Sequence, residues 1–353
     1  MKYVYPLCVM LACCGAGFCQ RVAVVPKAPP EPTTATGSST LDVMVTDKAG
    51  HPIPGLQQQD FTLLDDRHPT AIENFKAYQD TNPEEDSTSI LILIDDVNND
   101  FNIVSNERGQ IDSYLRRNHG QLPAPVSIAY LTERGFDLVV PPSTDGNLVA
   151  SVLDQRQGEL RDIDRSAGFY GFSEMMQMSI DAFTKMLRYE SRVPGRKLVI
   201  WISKGWRLFD SPNVVFTDQQ ERAFFNLVVE LSTGLRQARV VLYAVDPYGL
   251  EDAGGFRTFL WQDFLKPVRS PEQAQPGSFA LQVFAVHSGG KVLTSSNDIA
   301  GEIAQCAQDA SAWYRFAFSP ARSEKPDTWH DLQVKVDKPK MIVRTSNGYY
   351  AQP

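Results

Sequence analysis

The stretch Ser89-Ile90-Leu91-Ile92-Leu93-Ile94-Asp95-Asp96-Val97-Asn98-Asn99-Asp100 decides the fold. Its first half is a short, nearly continuous apolar run, and its second half is a crowd of acids and amides. A second run, Lys197-Leu198-Val199-Ile200-Trp201-Ile202-Ser203-Lys204-Gly205, has the same form. Apolar runs of this length without alternation suit strands covered on both faces, as in parallel sheets. Ligands of open parallel sheets bind outside the carboxyl ends of the strands. That edge would here carry acids, amides and the Lys204 amine.

Working outward, further strands are predicted at 126–131 and 240–245, with a weak last one at 291–294. Helices are predicted at 105–118, 148–155, 173–189, 218–236, 279–287 and 298–310. Ser173 is a candidate N-cap, and Met176, Ile180, Phe183 and Leu187 follow it at helical spacing. Strand–helix alternation of this kind predicts an α/β domain with a doubly wound, mostly parallel sheet. The flanks read differently. Alternating segments at 41–46, at Phe61 and Leu63 before an Asp65-Asp66 turn, and at 72–78 precede the domain, and segments at 314–318, 332–336 and 341–343 follow it. Neither group has enough strands to stand alone. Together they predict a small β-sandwich built from both chain ends, with the α/β domain inserted. The expected partition is 1–19, 20–40, 41–82, 87–311 and 312–353.

The first of these pieces reads as a signal peptide. Lys2 precedes an apolar run at 4–18 that is short for a membrane span, and Gly17-Phe18-Cys19 offers a small-x-small cleavage site. The chain is therefore expected to be exported, periplasmic or extracellular, with no integral span once the signal is removed. An uncleaved anchor, or acylation at Cys13, Cys14 or Cys19, are the alternatives. Residues 20–40 are rich in Pro, Thr and Ser and read as a flexible tether. Of 5 cysteines only Cys306 lies beyond the signal, so no internal disulfide is expected, and its place in a helix suggests a buried thiol. Net charge is −8, which argues against nucleic acid as a general partner. A hydrophobic fraction of 42% is enough for a core that needs no disulfide.

Signals for catalysis are weak. His51, His68, His119, His287 and His330 show no metal-ligand spacing. Ser203 and Lys204 are adjacent on a strand, so their side chains point to opposite faces. The one enzymatic alternative is Mg²⁺-dependent phosphoester hydrolysis at Asp95 and Asp96. A stronger lead is the long connection 247–278, which carries Tyr248, Phe256, Phe259, Trp261 and Phe264. With Trp206 it could form an aromatic recognition surface; a short helix that packs these rings inward is the alternative.

Several motifs resemble the von Willebrand factor type A domain, and more narrowly the secreted "VWFA-related" proteins of acidobacteria. They are Val43-Met44-Val45-Thr46-Asp47, Gly55-Leu56, Asp60-Phe61-Thr62-Leu63-Leu64-Asp65-Asp66, Ile94-Asp95, Tyr243-Ala244-Val245-Asp246-Pro247, Gly249-Leu250, Gly289-Gly290 and Gly348-Tyr349-Tyr350-Ala351. The resemblance covers most of the chain after the tether. It implies a Rossmann-like domain on a β platform, exported, and binding rather than catalytic. It also implies a metal-ion-dependent adhesion site of hard oxygen ligands: Asp-x-Ser-x-Ser, a Thr, and a second Asp. This chain keeps Asp95, places Val97 and Asn99 at the two serine positions, offers Ser173 for the Thr, and has Lys204 where the Asp belongs. An ammonium about 4 Å from a divalent ion costs several kcal/mol at an effective dielectric near 20. The expectation is a degenerate site with no required cofactor, where the Lys204 amine replaces the ion and pairs with Asp95 or Asp96, with Asp246 nearby. Weak Mg²⁺ or Ca²⁺ binding at Asp95, Asn99 and Ser173 is the rival. The expected function is adhesion-type recognition of a protein or other extracellular macromolecule through Asp96, Lys204, Trp206, Asp246, Tyr248 and Trp261.

Overall fold

A computed structural model describes residues 38–79, 87–155, 169–206, 216–249, 260–294 and 296–351. The expected signal peptide and most of the tether lie outside these residues. The chain divides between Thr33 and Thr34, and everything described belongs to the second unit.

The first strands are β1 (Ser39–Thr46), β2 (Phe61–Asp65), β3 (His68–Thr70) and β4 (Asn74–Gln79). β1 therefore begins inside the segment expected to be tether. Then come β5 (Thr88–Asp95), α1 (Phe101–Leu115), β6 (Gln121–Thr132), β7 (Gly135–Asp145), α2 (Gly146–Gln155) and α3 (Phe169–Glu190). β8 (Arg196–Ile202), α4 (Asp218–Gln237), β9 (Val240–Val245), α5 (Leu281–His287), β10 (Val292–Leu293) and α6 (Ile299–Ala307) complete the alternating region. The chain ends in β11 (Ala312–Phe318), β12 (Thr328–Val336), β13 (Ile342–Thr345) and β14 (Gly348–Ala351).

The central sheet has the order β10-β9-β8-β5-β6-β7. Renumbered from β5, this is 3-2-1-4-5-6 read from the β7 edge, the Rossmann order. All neighbours pair in parallel except β6 and β7. The apolar runs explain themselves here. Leu91 and Leu93 face one layer with Val199, Trp201, Phe183 of α3 and Phe284 of α5. Ile90, Ile92 and Ile94 face the other with Leu198, Ile200, Ile111 of α1 and Ile303 of α6. Each strand thus feeds two cores. Buried Cys306 belongs to the second core, where burial pushes its thiol pKa up.

The sequence reading had no β7. Pro141 and Pro142 argue against an interior strand, but β7 is the sheet edge, where a missing N–H costs nothing. It folds back on β6 through the turn between Thr132 and Gly135, and Gly135 takes φ +97° there. α3 begins at Phe169, so Ser173 lies within the helix and is not its N-cap.

Both chain ends supply two four-stranded sheets, β13-β1-β11-β4 and β14-β12-β2-β3. Their pairings are antiparallel, and each mixes strands from the N-terminal and C-terminal flanks. They share one hydrophobic cluster, which includes Val43 and Val45 of β1, Leu63 of β2, Phe316 of β11 and Tyr349 of β14. Arg196 of β8, fully buried, lies 5.0 Å from the ring of Trp313, against which Tyr78 is stacked at 3.9 Å. Asp309 accepts hydrogen bonds from Tyr243 of β9 and Arg344 of β13. Charged side chains thus join the central sheet to the terminal strands. Among the described residues no helix is long and apolar enough to cross a membrane.

Candidate functional site

The carboxyl ends of β5, β8 and β9 place Asp95, Lys204 and Asp246 along one edge. The register pairs Ile94 with Ile202 and Ile202 with Val245, so the three exits lie side by side.

Asp95 is fully buried at the centre of this edge. Its Oδ1 accepts from the backbone N–H of Val97 at 3.1 Å and of Asn98 at 2.8 Å, and from Asn98 Nδ2 at 3.1 Å. Its Oδ2 accepts from Asn98 Nδ2 at 2.9 Å and from the Trp201 indole N–H at 3.1 Å. An ionised carboxylate has about four lone-pair sites. Five donor contacts, with the Ser203 hydroxyl beside them, saturate it. Burial raises the Asp95 pKa, and the Asn98, Ser203 and Trp201 donors oppose that rise.

The two asparagines tie this loop to its surroundings. Asn98 Nδ2 also donates to Ser179 of α3 at 3.0 Å. Asn99 Nδ2 donates to Glu107 Oε1 at 2.8 Å and to the Ile202 carbonyl at 3.1 Å, while its Oδ1 accepts from the Lys204 N–H at 3.2 Å. Asn99 is therefore a brace between β5, β8 and α1.

Lys204 does not reach Asp95, whose oxygens are occupied by neutral donors. Its amine lies 3.1 Å from the Tyr248 hydroxyl, 4.5 Å from that ring's centroid, and 3.8 Å from Asp100 Oδ2. Tyr248 donates to Asp100 Oδ2 at 2.6 Å and accepts from the Asp100 N–H at 2.9 Å. Asp246, nearly buried, accepts the Tyr248 N–H at 3.0 Å and so holds the ring in place. Lys204, Tyr248 and Asp100 form a charged cluster at the rim, with the Asp100 side chain 60% exposed.

Three positions where the resemblance implies ligands are changed or already engaged, while Asn98 Oδ1 and Glu107 Oε2 beside them are buried oxygens without a hydrogen-bond partner. Both Asp95 oxygens already accept from protein donors, Val97 has no ligand atom, and Asn99 Oδ1 already accepts a backbone N–H. An ammonium stands at the rim, which adds repulsion. Ser173 sits in the first turns of α3, and the structure describes nothing of its side chain.

Trp206 departs most from expectation. It is only 4% exposed and packs against Phe183 and Trp201, each at 5.5 Å between centroids, and against Phe284. It belongs to the core and offers no recognition surface, because the chain after Lys204 turns inward over α3 and α5. Gly205 makes that turn at φ +100°. Trp261 is partly buried in a 3₁₀ turn, Trp261–Phe264, while Phe256 and Phe259 lie outside the described residues.

One participant was missed. Glu107 is fully buried beneath the loop, and burial, then the charges of Asp95 and Asp96, raise its pKa well above the usual range. Its Oε2 has no hydrogen-bond partner. The signal was present in the sequence: Glu107 shares a helical face with Val104 and Ile111.

No family model matches the chain, and no curated protein matches it. Solved structures with partial likeness include an aerotolerance-related membrane protein of Bacteroides fragilis, at 12% identity and TM-score 0.34, covering 63% of this chain and 98% of that one. The manganese-loaded TRAP protein of Plasmodium vivax gives 10% identity and TM-score 0.32 over 79% and 98%. The pilus adhesin SpaC of Lactobacillus rhamnosus GG gives 9% identity and TM-score 0.37 over 84% and 48%. The fold class rests on the strand order and register described above.

Proposed function

We propose that this chain is an exported, adhesion-type binding module that recognises a macromolecular partner at the carboxyl edge of its central sheet without a divalent ion in that edge. The observation behind this reading is the rim cluster of Lys204, Tyr248 and Asp100 beside a saturated Asp95. A lysine braced by a tyrosine and a half-exposed carboxylate presents both charge signs on a fixed scaffold, which favours a protein partner with complementary charges. Asp96 and Trp261 are further candidate contacts in this reading. The narrower relation to the acidobacterial "VWFA-related" proteins is part of the proposal, as is the division into a 41–82 and 312–353 β-sandwich platform carrying the 87–311 domain. The signal at 1–19 would deliver the protein to the periplasm or beyond. No catalytic role is proposed.

The test is capture of envelope and extracellular proteins by the purified chain in EDTA, followed by the variants Lys204→Glu and Tyr248→Ala. A partner retained in EDTA by the parent and lost by both folded variants supports the reading. A partner that binds only with Mg²⁺, or that ignores both variants, sinks it.

A further inference from the structure

The second cluster of ligand-type side chains lies far from the sheet edge, where β2 and β12 pair. β2 ends at Asp65, and the turn to β3 passes through Asp66 and Arg67, both at positive φ (46° and 68°). On β12 His330 lies two residues before Leu332, the register partner of Asp65, and its Nδ1 stands 3.2 Å from Asp65 Oδ1 and 3.0 Å from Asp66 Oδ2. Asp65 and His330 are buried, and the three ligand atoms lie within 4.8 Å of one another.

The His330 Nδ1–Asp65 contact is a hydrogen bond, and Asp66 brings a second carboxylate oxygen to the same nitrogen. Nδ1 carries at most one proton, yet two carboxylate oxygens approach it equally closely. Among the described residues, His330 is the one basic side chain ion-paired with Asp65 or Asp66. Two carboxylates, one of them buried, thus share one imidazole that is neutral unless protonated.

The other carboxylate oxygens of the cluster are already spoken for. Asp65 Oδ2 accepts from the Tyr349 hydroxyl at 2.7 Å and the Ala321 N–H at 3.3 Å. Asp66 Oδ1 accepts from the Asp331 N–H at 2.9 Å. The imidazole is stacked on the Tyr349 ring at 5.1 Å and 17°. Each carboxylate therefore has one oxygen fixed by outer hydrogen bonds and the other turned to a common point, which is how metal ligands are oriented. The spacing also fits. Ligands about 2.0–2.2 Å from a tetrahedral ion lie roughly 3.3–3.5 Å apart. The two Nδ1–oxygen separations need to open by only a few tenths of an ångström, and the two carboxylate oxygens lie within 4.8 Å of each other.

We propose that Asp65, Asp66 and His330 bind a divalent transition-metal ion of the zinc class. The mixed nitrogen–oxygen set favours such ions over Mg²⁺ and Ca²⁺, which take oxygen. Three protein ligands leave a fourth position, and the 41% exposure of Asp66 puts that position on the solvent side, for water or a partner's donor group. The ligands come from opposite ends of the chain, so the ion would pin the terminal strands together.

The test is titration of the EDTA-stripped full chain with Zn²⁺ by calorimetry, and with Co²⁺ by visible absorption. One equivalent of Zn²⁺ should bind, and Co²⁺ should give the intense ligand-field bands of low-coordinate cobalt. Asp66→Asn, which keeps the Asp331 contact, should weaken binding at least tenfold, and His330→Asn should abolish the cobalt bands. Substoichiometric binding, or binding undiminished in a folded Asp66→Asn variant, overturns the proposal. If His330→Asn does not fold, Asp66→Asn alone decides. A proton shared by the three groups, with no metal, would appear as absence of Zn²⁺ binding in the parent.

Discussion

Asp95→Asn separates a protein-saturated carboxylate from a metal ligand. Every described hydrogen-bond partner of Asp95 except the Ser203 hydroxyl is a pure donor: two backbone N–H groups, the Asn98 amide nitrogen and the Trp201 indole. An asparagine must turn its own NH₂ group toward some of them. With the NH₂ at the Oδ2 position it faces Trp201 and Asn98 Nδ2; at the Oδ1 position it faces Val97, Asn98 and Asn98 Nδ2. At least two hydrogen bonds to a charged acceptor are lost, worth about 1.5–3 kcal/mol each. Relief from burying a charge, the main influence raising this carboxyl's pKa, offsets part of that loss. The expected net cost is about 2–4 kcal/mol. Urea unfolding followed by tryptophan fluorescence, in EDTA and again in Mg²⁺, measures it. The loss should be equal in both conditions. A variant as stable as the parent in EDTA, or less stable only when Mg²⁺ is present, would refute the reasoning.

Two further outcomes follow from packing and burial. Trp206→Ala should cost about 3–5 kcal/mol, as for a large buried aromatic, and thermal unfolding that leaves stability intact would return Trp206 to the surface. Glu190, buried at the end of α3, has its carboxyl pKa raised from 4.5 to about 7, chiefly by burial and despite the Lys197 charge. Its folded state binds more protons than its unfolded state between those values, so its stability contribution falls as pH rises through that window. Glu190→Gln should therefore gain over the parent from near zero below pH 4.5 to about 3 kcal/mol above pH 7, by denaturant unfolding across pH; a gain independent of pH would contradict the assignment.

The fold was legible because β5, β8 and β9 each feed two cores, and an uninterrupted apolar run is the only sequence that can do so. β7 was not, because its prolines are tolerated only at an edge, and edge position is a property of the whole sheet. At the site, a lysine at the end of β8 was readable, but its geometry was not. Lys204 meets Asp100 through Tyr248, a residue 44 positions away, while Trp201 one strand over takes Asp95. Trp206 was misplaced because a tryptophan beyond a strand tip looks like loop until Gly205 turns it inward. His330 seemed isolated because its partner Asp65 is 265 positions distant, close only once β2 and β12 have paired.

The most direct test is thermal unfolding of the full chain in EDTA and then in millimolar Mg²⁺ or Ca²⁺, with zinc-class ions left out so that the His330 cluster is silent. A saturated Asp95 gives no shift with either ion. An ion at a hundred times its dissociation constant would add about 2.7 kcal/mol. A shift of that kind, absent in Asp95→Asn, would contradict a metal-independent strand-end site.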